Sequence, residues 1–226
     1  GNPVAYTGMT WSGFRPSDDA CVYGYLVPAN MFAVVALKEM AEMVVAGYGD
    51  EELAGKALTL RDEIDEGIRK YAIIETEDFR KVYAYEVDGL GNTLFMDDAN
   101  VPSLISAPYL GYCDISDEIY QNKRKMLLSK ANPFYFEGTA AKGIGSPHTP
   151  KNYIWHIALA MQGLTTEDLQ EKKTLLDFIL STHAGEWYMH EGFNVDNPDE
   201  FTRVWFAWAN TIVSEFLIDC IEKNVI

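Results

Sequence analysis

The sequence is poor in cysteine and contains no long uninterrupted apolar segment. Only three of the 226 residues are cysteines, and their odd number and wide spacing fit neither a disulfide framework nor a metal site. Each is expected to be a small buried hydrophobe, and the pattern favours a reducing compartment, the cytoplasm. Because no run of about 18 or more apolar residues is present, no membrane-spanning helix is predicted.

Positive charge is also scarce, and this excludes whole classes of partner. The chain has 18 Lys and Arg residues against 34 Asp and Glu residues, which gives a formal net charge of −16. Nucleic acid and anionic membrane surfaces repel such a chain, so neither is predicted as a partner. The four histidines and the acidic residues lack spacings such as His-Glu-x-x-His, so no metal and no other cofactor is predicted.

What the chain does contain is apolar and aromatic material arranged with helical periodicity. Hydrophobic residues make up 48% of the sequence and aromatic residues 13%, enough to fill a sizeable core and to argue against disorder. A largely apolar helix, expected to be buried on most sides, is followed by an amphipathic one, and this order predicts an inner and an outer member of a helical hairpin. The predicted helices are residues 31–46, 51–71, 102–109, 116–129, 152–162, 166–182 and 201–223.

Between the helices the pattern changes. Residues 81–96 predict a β-hairpin around the turn 88–92, whereas residues 132–150 and 183–198 predict long loops. We therefore predict a mainly α fold made of three helix pairs and a final single helix. Inner-then-outer pairs are typical of an α/α toroid, but an irregular helical bundle fits the periodicity equally well.

Two acidic clusters lie in aromatic segments near opposite ends of the chain. The first is WSGFRPSDD at residues 11–19, and the second is MHEGFNVD at residues 189–196. Aromatic faces stack on the apolar faces of a pyranose and carboxylates supply acid and base, so the two clusters suit a sugar site. The structural alternative is a Ser-Asp-Asp helix cap in the first cluster and a solvated glutamate in the second.

Longer motifs around these clusters resemble glycoside hydrolase family 125. They are GMTWSGFRPSDDA at 8–20, FMDDANVPSL at 95–104, GSPHTPKNYIWH at 145–156 and MHEGFN at 189–194, with FTRVWFAWAN at 201–210 adding to the match. The resemblance implies an exo-acting mannosidase that removes non-reducing terminal α-1,6-linked mannose from mannose-containing glycans. It also implies inversion of the anomeric centre, no metal or cofactor, and an (α/α)6 toroid.

The resemblance has consequences for domain organisation. Members of the family are about twice as long, so the resemblance implies that residues 1–226 are a fragment of a single catalytic domain, its C-terminal part. The expected fold is then a portion of an (α/α)6 toroid built of helical hairpins, with a small β-hairpin insertion. The N-terminal half of the same protein is the predicted protein partner, and two other functions stay open: a mannose-binding module without turnover, and a structural half without activity.

Carried over position by position, the resemblance places the general acid in Ser17-Asp18-Asp19 and the base in His190-Glu191-Gly192. We predict Asp18 as the acid and Glu191 as the base, with Asp19 and Asp196 as rivals. An inverting pair should stand roughly 6.5–9.5 Å apart. The predicted substrate-binding residues, each with an open structural alternative such as an ion pair, a cap or a core anchor, are Trp11, Arg15, Asp19, Asp98, Asn100, His148, Trp155, His190 and Arg203.

Overall fold

Helices carry most of the regular structure, in agreement with the predicted fold class. The computed structural model describes all of residues 1–226. The six helices are α1 (Val27–Tyr48), α2 (Glu51–Tyr71), α3 (Glu118–Leu127), α4 (His156–Leu164), α5 (Leu169–Ser181) and α6 (Ala207–Glu222). None of them is both long enough and apolar enough to cross a membrane.

Ten short strands connect and brace the helices in four small antiparallel sheets. The strands are β1 (Tyr25–Leu26), β2 (Ile73–Thr76), β3 (Arg80–Tyr83), β4 (Glu86–Val87), β5 (Thr93–Leu94), β6 (Tyr135–Glu137), β7 (Lys142–Ile144), β8 (Tyr153–Ile154), β9 (Gly192–Asn194) and β10 (Phe201–Thr202). Two sheets have three strands, in the orders β1-β4-β5 and β10-β9-β8, and two are the pairs β2-β3 and β6-β7. The three-stranded sheets matter most here, because they hold the two segments that carry the acidic clusters.

The predicted hairpin of α1 and α2 is present, and its sequence explains its turn. Gly49 ends α1 in the left-handed conformation, with φ at 65°. The Asp50 side chain then accepts a hydrogen bond from the Leu53 N–H and starts α2. A contact of small residues, Ala41 against Ala54 and Ala57, lets the two helices pack closely.

The prediction that α1 is buried on most sides is wrong for this chain. Met31 is buried, but Phe32, Met43 and Val45 on the same helix are exposed. The last helix, α6, has a similar uncovered face that includes Ile218 and Ile221. Large exposed apolar side chains of this kind on two helices suit association with another surface.

Several predicted boundaries are also wrong, and backbone hydrogen bonding explains why. Residues 102–109 form consecutive turns rather than a helix. The final helix begins at Ala207 and not at residue 201, because β10 pairs with β9 and Arg203 adopts a left-handed φ of 52°. The fourth helix begins at His156, because the residues before it form β8.

The β-structure is richer than the predicted single hairpin. β4 and β5 pair as predicted around the turn, but β3 pairs instead with β2. The predicted long loop at 132–150 contains the hairpin of β6 and β7. One apolar core joins these elements to α4, α5 and α6, with Trp155, Phe193 and Phe216 among its largest fully buried side chains.

Candidate active site

Asp18 lies at the tip of a tight loop that begins and ends at the isolated bridge between Phe14 and Ala20. Within it, the Arg15 N–H donates to the carbonyl of Asp19 at 2.8 Å, and the Asp18 N–H donates to the carbonyl of Arg15 at 3.0 Å. Asp18 itself has a φ of 69°, a left-handed conformation that aspartate tolerates better than most residues. Its carboxyl is exposed and makes no hydrogen bond to another residue, so the backbone of the loop sets its position.

Behind this tip, a serine hydroxyl lies between two carboxyls. Ser17 Oγ is 2.6 Å from Asp98 Oδ2 and 2.9 Å from Asp19 Oδ2, which is in turn 3.3 Å from His148 Nδ1. A serine hydroxyl carries one proton, so it can donate to only one of the two carboxyls. Burial raises the pKa of Asp98 although hydrogen bonds from Ser17 and Ser146 oppose the shift. Asp98 is therefore a carboxyl that can hold a proton of its own, in addition to the proton on the Ser17 hydroxyl.

Glu191 directly precedes β9, and the β9–β10 hairpin holds it. The Glu191 N–H donates to the carbonyl of Thr202 at 3.2 Å. On its side chain, Oε1 is 3.0 Å from Nε of Arg203, whose side chain is 59% exposed while that of Glu191 is only 7% exposed. The base candidate is thus largely buried and has one oxygen occupied by a counter-ion, unlike the exposed acid candidate.

His190 and His156 fix the backbone beside Glu191. The His190 ring stacks on Phe201 with centroids 3.8 Å apart, and its Nδ1 donates to the carbonyl of Val204 at 2.8 Å. The His190 N–H donates to Nδ1 of His156 at 3.2 Å. His156 is fully buried, and its Nε2 lies 3.0 Å from the Thr182 hydroxyl, which itself donates to a carbonyl.

These contacts assign the protonation of His156. Nδ1 accepts a hydrogen bond and Thr182 has used its own proton, so Nε2 must carry the hydrogen and the ring is neutral. Burial lowers the pKa of His156 to about 3, in agreement with this assignment. Its role in the site is to hold the backbone on which Glu191 lies.

Asp18 and Glu191 open onto one cavity of about 120 Å³. The other residues that line it are Pro16, Ser17, Asn100, His148, Trp155, Arg203, Phe206 and Trp208. Its aromatic wall is continuous, since the Trp155 and Phe206 ring centroids are 6.0 Å apart and those of Phe206 and Trp208 are 5.4 Å apart. The cavity therefore combines two carboxyls, a guanidinium and a wall on which a sugar ring can stack.

The size of a cavity does not identify the site in this molecule. The largest one, about 880 Å³, lies between α1, α2 and residues 111–119 and contains none of the predicted site residues. The chemistry of the lining residues is the better guide, because a site needs convergent reactive groups and not only volume. No group of three or more His, Cys, Asp or Glu side chains is arranged to hold a metal ion.

The structure brings together some of the predicted site residues and separates others from the cavity. Those that line it are Asp18, Asn100, His148, Trp155, Glu191 and Arg203. Those that do not line it are Trp11, Arg15, Asp19, Asp98 and His190. Arg15 is buried against Glu86, His190 is buried under the base loop, and Trp11 has an exposed side chain. Asp19 and Asp98 lie behind Ser17, so they reach the cavity only through neighbours.

Sequence reasoning missed four residues that shape this site. Phe206 and Trp208 fall inside the predicted helix 201–223, whereas they flank the observed start of α6 and face the cavity. The motif at 201–210 contained the signal that would have identified them, and His156 ends the motif at 145–156. Glu86 acts from behind the loop of Asp18, and no spacing or charge pattern distinguishes it.

The sequence matches a known family over almost its whole length. A family model described as a metal-independent alpha-mannosidase (GH125) matches residues 1–218.

The chain belongs to glycoside hydrolase family 125.

Two relatives support this membership in sequence and in structure. The meiotically up-regulated gene 157 protein of Schizosaccharomyces pombe is 46% identical over 221 residues, which are 97% of this chain and 43% of the yeast protein. A metal-independent α-mannosidase of Streptococcus pneumoniae, solved in a non-productive complex with α-1,6-mannobiose, is 51% identical with a TM-score of 0.96. The match covers 98% of this family 125 chain and 53% of the bacterial one. The chain thus spans about half the length of the relatives it matches.

Proposed function

We propose that this chain carries both catalytic carboxyls of an inverting α-mannosidase that removes non-reducing terminal α-1,6-linked mannose from glycans. One observation carries the proposal: Asp18 and Glu191, from loops at opposite ends of the sequence, line the same aromatic-walled cavity. Family membership supports hydrolysis of a mannoside without metal. The complex of the bacterial relative with α-1,6-mannobiose supports the linkage.

In the proposed mechanism Asp18 is the general acid. Its exposed carboxyl protonates the glycosidic oxygen as the bond to the leaving group breaks. Exposure suits this role, because the leaving sugar of a glycan extends toward solvent and the spent carboxylate regains its proton from water.

Glu191 is the proposed general base, and Arg203 prepares it. The contact of Arg203 Nε with Oε1 leaves Oε2 free to accept a proton from the attacking water. Water then attacks the anomeric carbon on the face opposite the leaving oxygen, and this geometry inverts the centre.

The remaining lining residues suit a single pyranose ring. Trp155, Phe206 and Trp208 offer apolar faces to the C–H groups of the sugar. Asn100 and His148 offer hydrogen-bonding groups for its hydroxyls. A cavity of about 120 Å³ is smaller than the roughly 300–1,000 Å³ of sites that enclose a drug-sized ligand, so it fits exo action on one terminal sugar.

We further propose that the fold is part of an (α/α)6 toroid, completed by an N-terminal half of the same protein. The uncovered apolar faces of α1 and α6 support this, since they would lie against the remaining helices. When it is co-expressed with the preceding region or joined to it in one chain, the protein should form a stable species. In that species, quenching of Trp208 fluorescence by an added quencher and hydrogen exchange of the α1 amides should both be lower than in residues 1–226 alone. Unchanged exchange of α1 would contradict the arrangement.

Proton NMR of α-1,6-mannobiose hydrolysis tests the proposed function. We expect β-mannose to be the first product, and we expect Asp18→Asn and Glu191→Gln each to reduce turnover by about 10²- to 10⁴-fold while mannose binding persists. First release of α-mannose would exclude inversion. Mannose binding by the intact protein with no turnover would instead identify the non-catalytic binding function.

A further inference from the structure

Glu86 is a buried carboxylate that joins both sides of the loop carrying Asp18. It belongs to β4 and is fully buried. Its Oε1 accepts a hydrogen bond from Nε of Arg15 at 2.6 Å, three residues before Asp18. Its Oε2 accepts from the N–H groups of Val22 at 2.7 Å and Tyr23 at 2.9 Å, after the loop has closed.

Strand pairing does not account for this arrangement. β4 is already paired on one side with β1 and on the other with β5, so the backbone of Glu86 needs no further support. Both oxygens of the side chain instead accept hydrogen bonds from residues on the two sides of the loop. Arg15 is only 7% exposed; burial alone would lower its pKa, but the hydrogen bond and charge of Glu86 outweigh burial and raise that pKa.

Asp18 depends on this support because nothing else holds its side chain. The residue has left-handed backbone geometry and an exposed carboxyl without a hydrogen-bond partner. Near its tip the loop has three further long-range polar ties: Asn100 Nδ2 donates to the carbonyl of Pro16 at 3.0 Å, Ser17 Oγ lies 2.6 Å from Asp98 Oδ2, and Asp19 Oδ2 lies 3.3 Å from His148 Nδ1. None of them holds Arg15 or the residues that follow the loop, which only Glu86 joins. Loss of the charge on Glu86 would free Arg15 and let the tip relax.

We propose that Glu86 is a positioning residue for the general acid. It does not touch the cavity and acts by holding Arg15 and the Val22–Tyr23 backbone, which together determine where the Asp18 carboxyl lies. The proposal rests on the proposed function of Asp18. A misplacement of about 1 Å in a catalytic group can cost about 10²-fold in rate, so the effect should be large although the residue is remote from substrate.

The test uses Glu86→Gln in the intact protein with two substrates that share the terminal mannose and carry leaving groups with different needs for acid. α-1,6-Mannobiose has a poor leaving group, whereas dinitrophenyl α-mannoside releases an anion that needs no proton. We expect kcat on the mannobiose to fall by about 10²-fold with KM changed by less than about 3-fold. On the dinitrophenyl mannoside we expect kcat to change by less than about 3-fold.

Glu171→Gln is the matched control. Glu171 also accepts three hydrogen bonds, all from side chains, those of Arg124, Gln162 and Thr166, but it lies outside the cavity and away from the acid loop. Its replacement should leave both rates unchanged. This comparison separates loss of acid positioning from the general effect of removing a hydrogen-bonded carboxylate.

Equal losses on the two substrates, or an unchanged rate on the mannobiose, would overturn the role of Glu86. If Glu86→Gln does not fold, as judged by circular dichroism, Arg15→Lys decides the question, because lysine keeps the charge but not the directed Nε–H. In Arg15→Lys, kcat on the mannobiose should then fall while kcat on the dinitrophenyl mannoside stays nearly unchanged. Asp18→Asn tests the acid assignment separately. If this variant loses kcat equally on the mannobiose and on the dinitrophenyl mannoside, Asp18 is not the general acid, and this outcome is distinct from both results for Glu86→Gln.

Discussion

Replacing Gly192 by alanine should damage the site without altering any reactive group. A Cβ added at this position would lie 3.0 Å from Cδ1 and 3.1 Å from Nε1 of Trp155, and 3.4 Å from Cγ2 of Thr149. Carbon atoms pack comfortably at about 3.5–4.0 Å, so one partner must move by a few tenths of an ångström. Both candidates to move belong to the site: the strand that follows Glu191, and a tryptophan in the cavity wall.

Neither side can yield easily. Trp155 is buried, and its Nε1–H donates to the Thr149 hydroxyl at 2.9 Å. Gly192 is held by β9 pairing and by a hydrogen bond from its N–H to the Thr202 hydroxyl at 3.1 Å. Overpacking of this kind typically costs about 1–3 kcal/mol of stability. Because a misplacement of about 1 Å can cost about 10²-fold, a displacement of a few tenths of an ångström at the proposed base should reduce kcat by roughly 3- to 10-fold.

The assay is steady-state hydrolysis of α-1,6-mannobiose, with thermal unfolding measured on the same samples. We expect the melting temperature to fall by about 2–4 °C for each kcal/mol lost. Gly55→Ala is the control, since Gly55 is an exposed residue of α2 with nothing within 4 Å of an added Cβ. That variant should be slightly more stable and fully active. Wild-type kcat in Gly192→Ala would refute the reasoning that this contact fixes the base.

Three further outcomes are expected. Trp208→Ala should raise KM by roughly 2- to 10-fold with little change in kcat, because it removes a half-exposed stacking surface and no reactive group; an unchanged KM would contradict its place in the sugar site. Exhaustive chelation should leave activity intact, and loss that is restored by one added metal would count against the mechanism. Burial lowers the pKa of His156 from 6.5 to about 3. The contribution of the neutral ring to the free energy of unfolding is therefore complete above about pH 6.5 and is lost as the pH falls toward 3. The contribution of His156 to the free energy of unfolding should therefore be about 2 kcal/mol smaller at pH 5 than at pH 7, and urea unfolding of wild type and His156→Gln at both pH values should differ by this amount. The comparison with the variant is needed because burial raises the pKa of Asp97 to about 7 and gives that residue an opposite pH dependence.

The sequence predicted the long helices well because a repeating pattern encodes them. The alternation of apolar and charged residues in α2 specifies both its length and its buried face. The failures lie where tertiary contacts decide. Residues 102–109 looked helical, but the buried Asp97 side chain accepts from the N–H groups of Leu104 and Ile105 and stabilises turns instead.

The candidate site divides in the same way. Asp18 and Glu191 could be proposed from short motifs, because loop residues that carry chemistry stand in distinctive surroundings. Glu86 could not be found this way, since it is a single buried acid in a two-residue strand, 71 positions from the arginine it pairs with. The exposed face of α1 was equally hidden, because an apolar helix predicts burial but not which chain covers it.

The β9–β10 hairpin makes Glu191, the proposed base, and its counter-ion one local unit. Glu191 and Arg203 flank the paired residues Gly192 and Thr202, so the register of a single hairpin sets their distance. The exposed turn at residues 196–200 can therefore vary in length without disturbing the ion pair, provided that the register is kept. The proposed acid depends on more of the chain, since its loop is tied to Glu86 of β4, to Asp98 and Asn100, and to His148. A graft of the proposed base into another scaffold thus requires the hairpin and His156 of α4, which holds its backbone, whereas a graft of the proposed acid requires four separate segments.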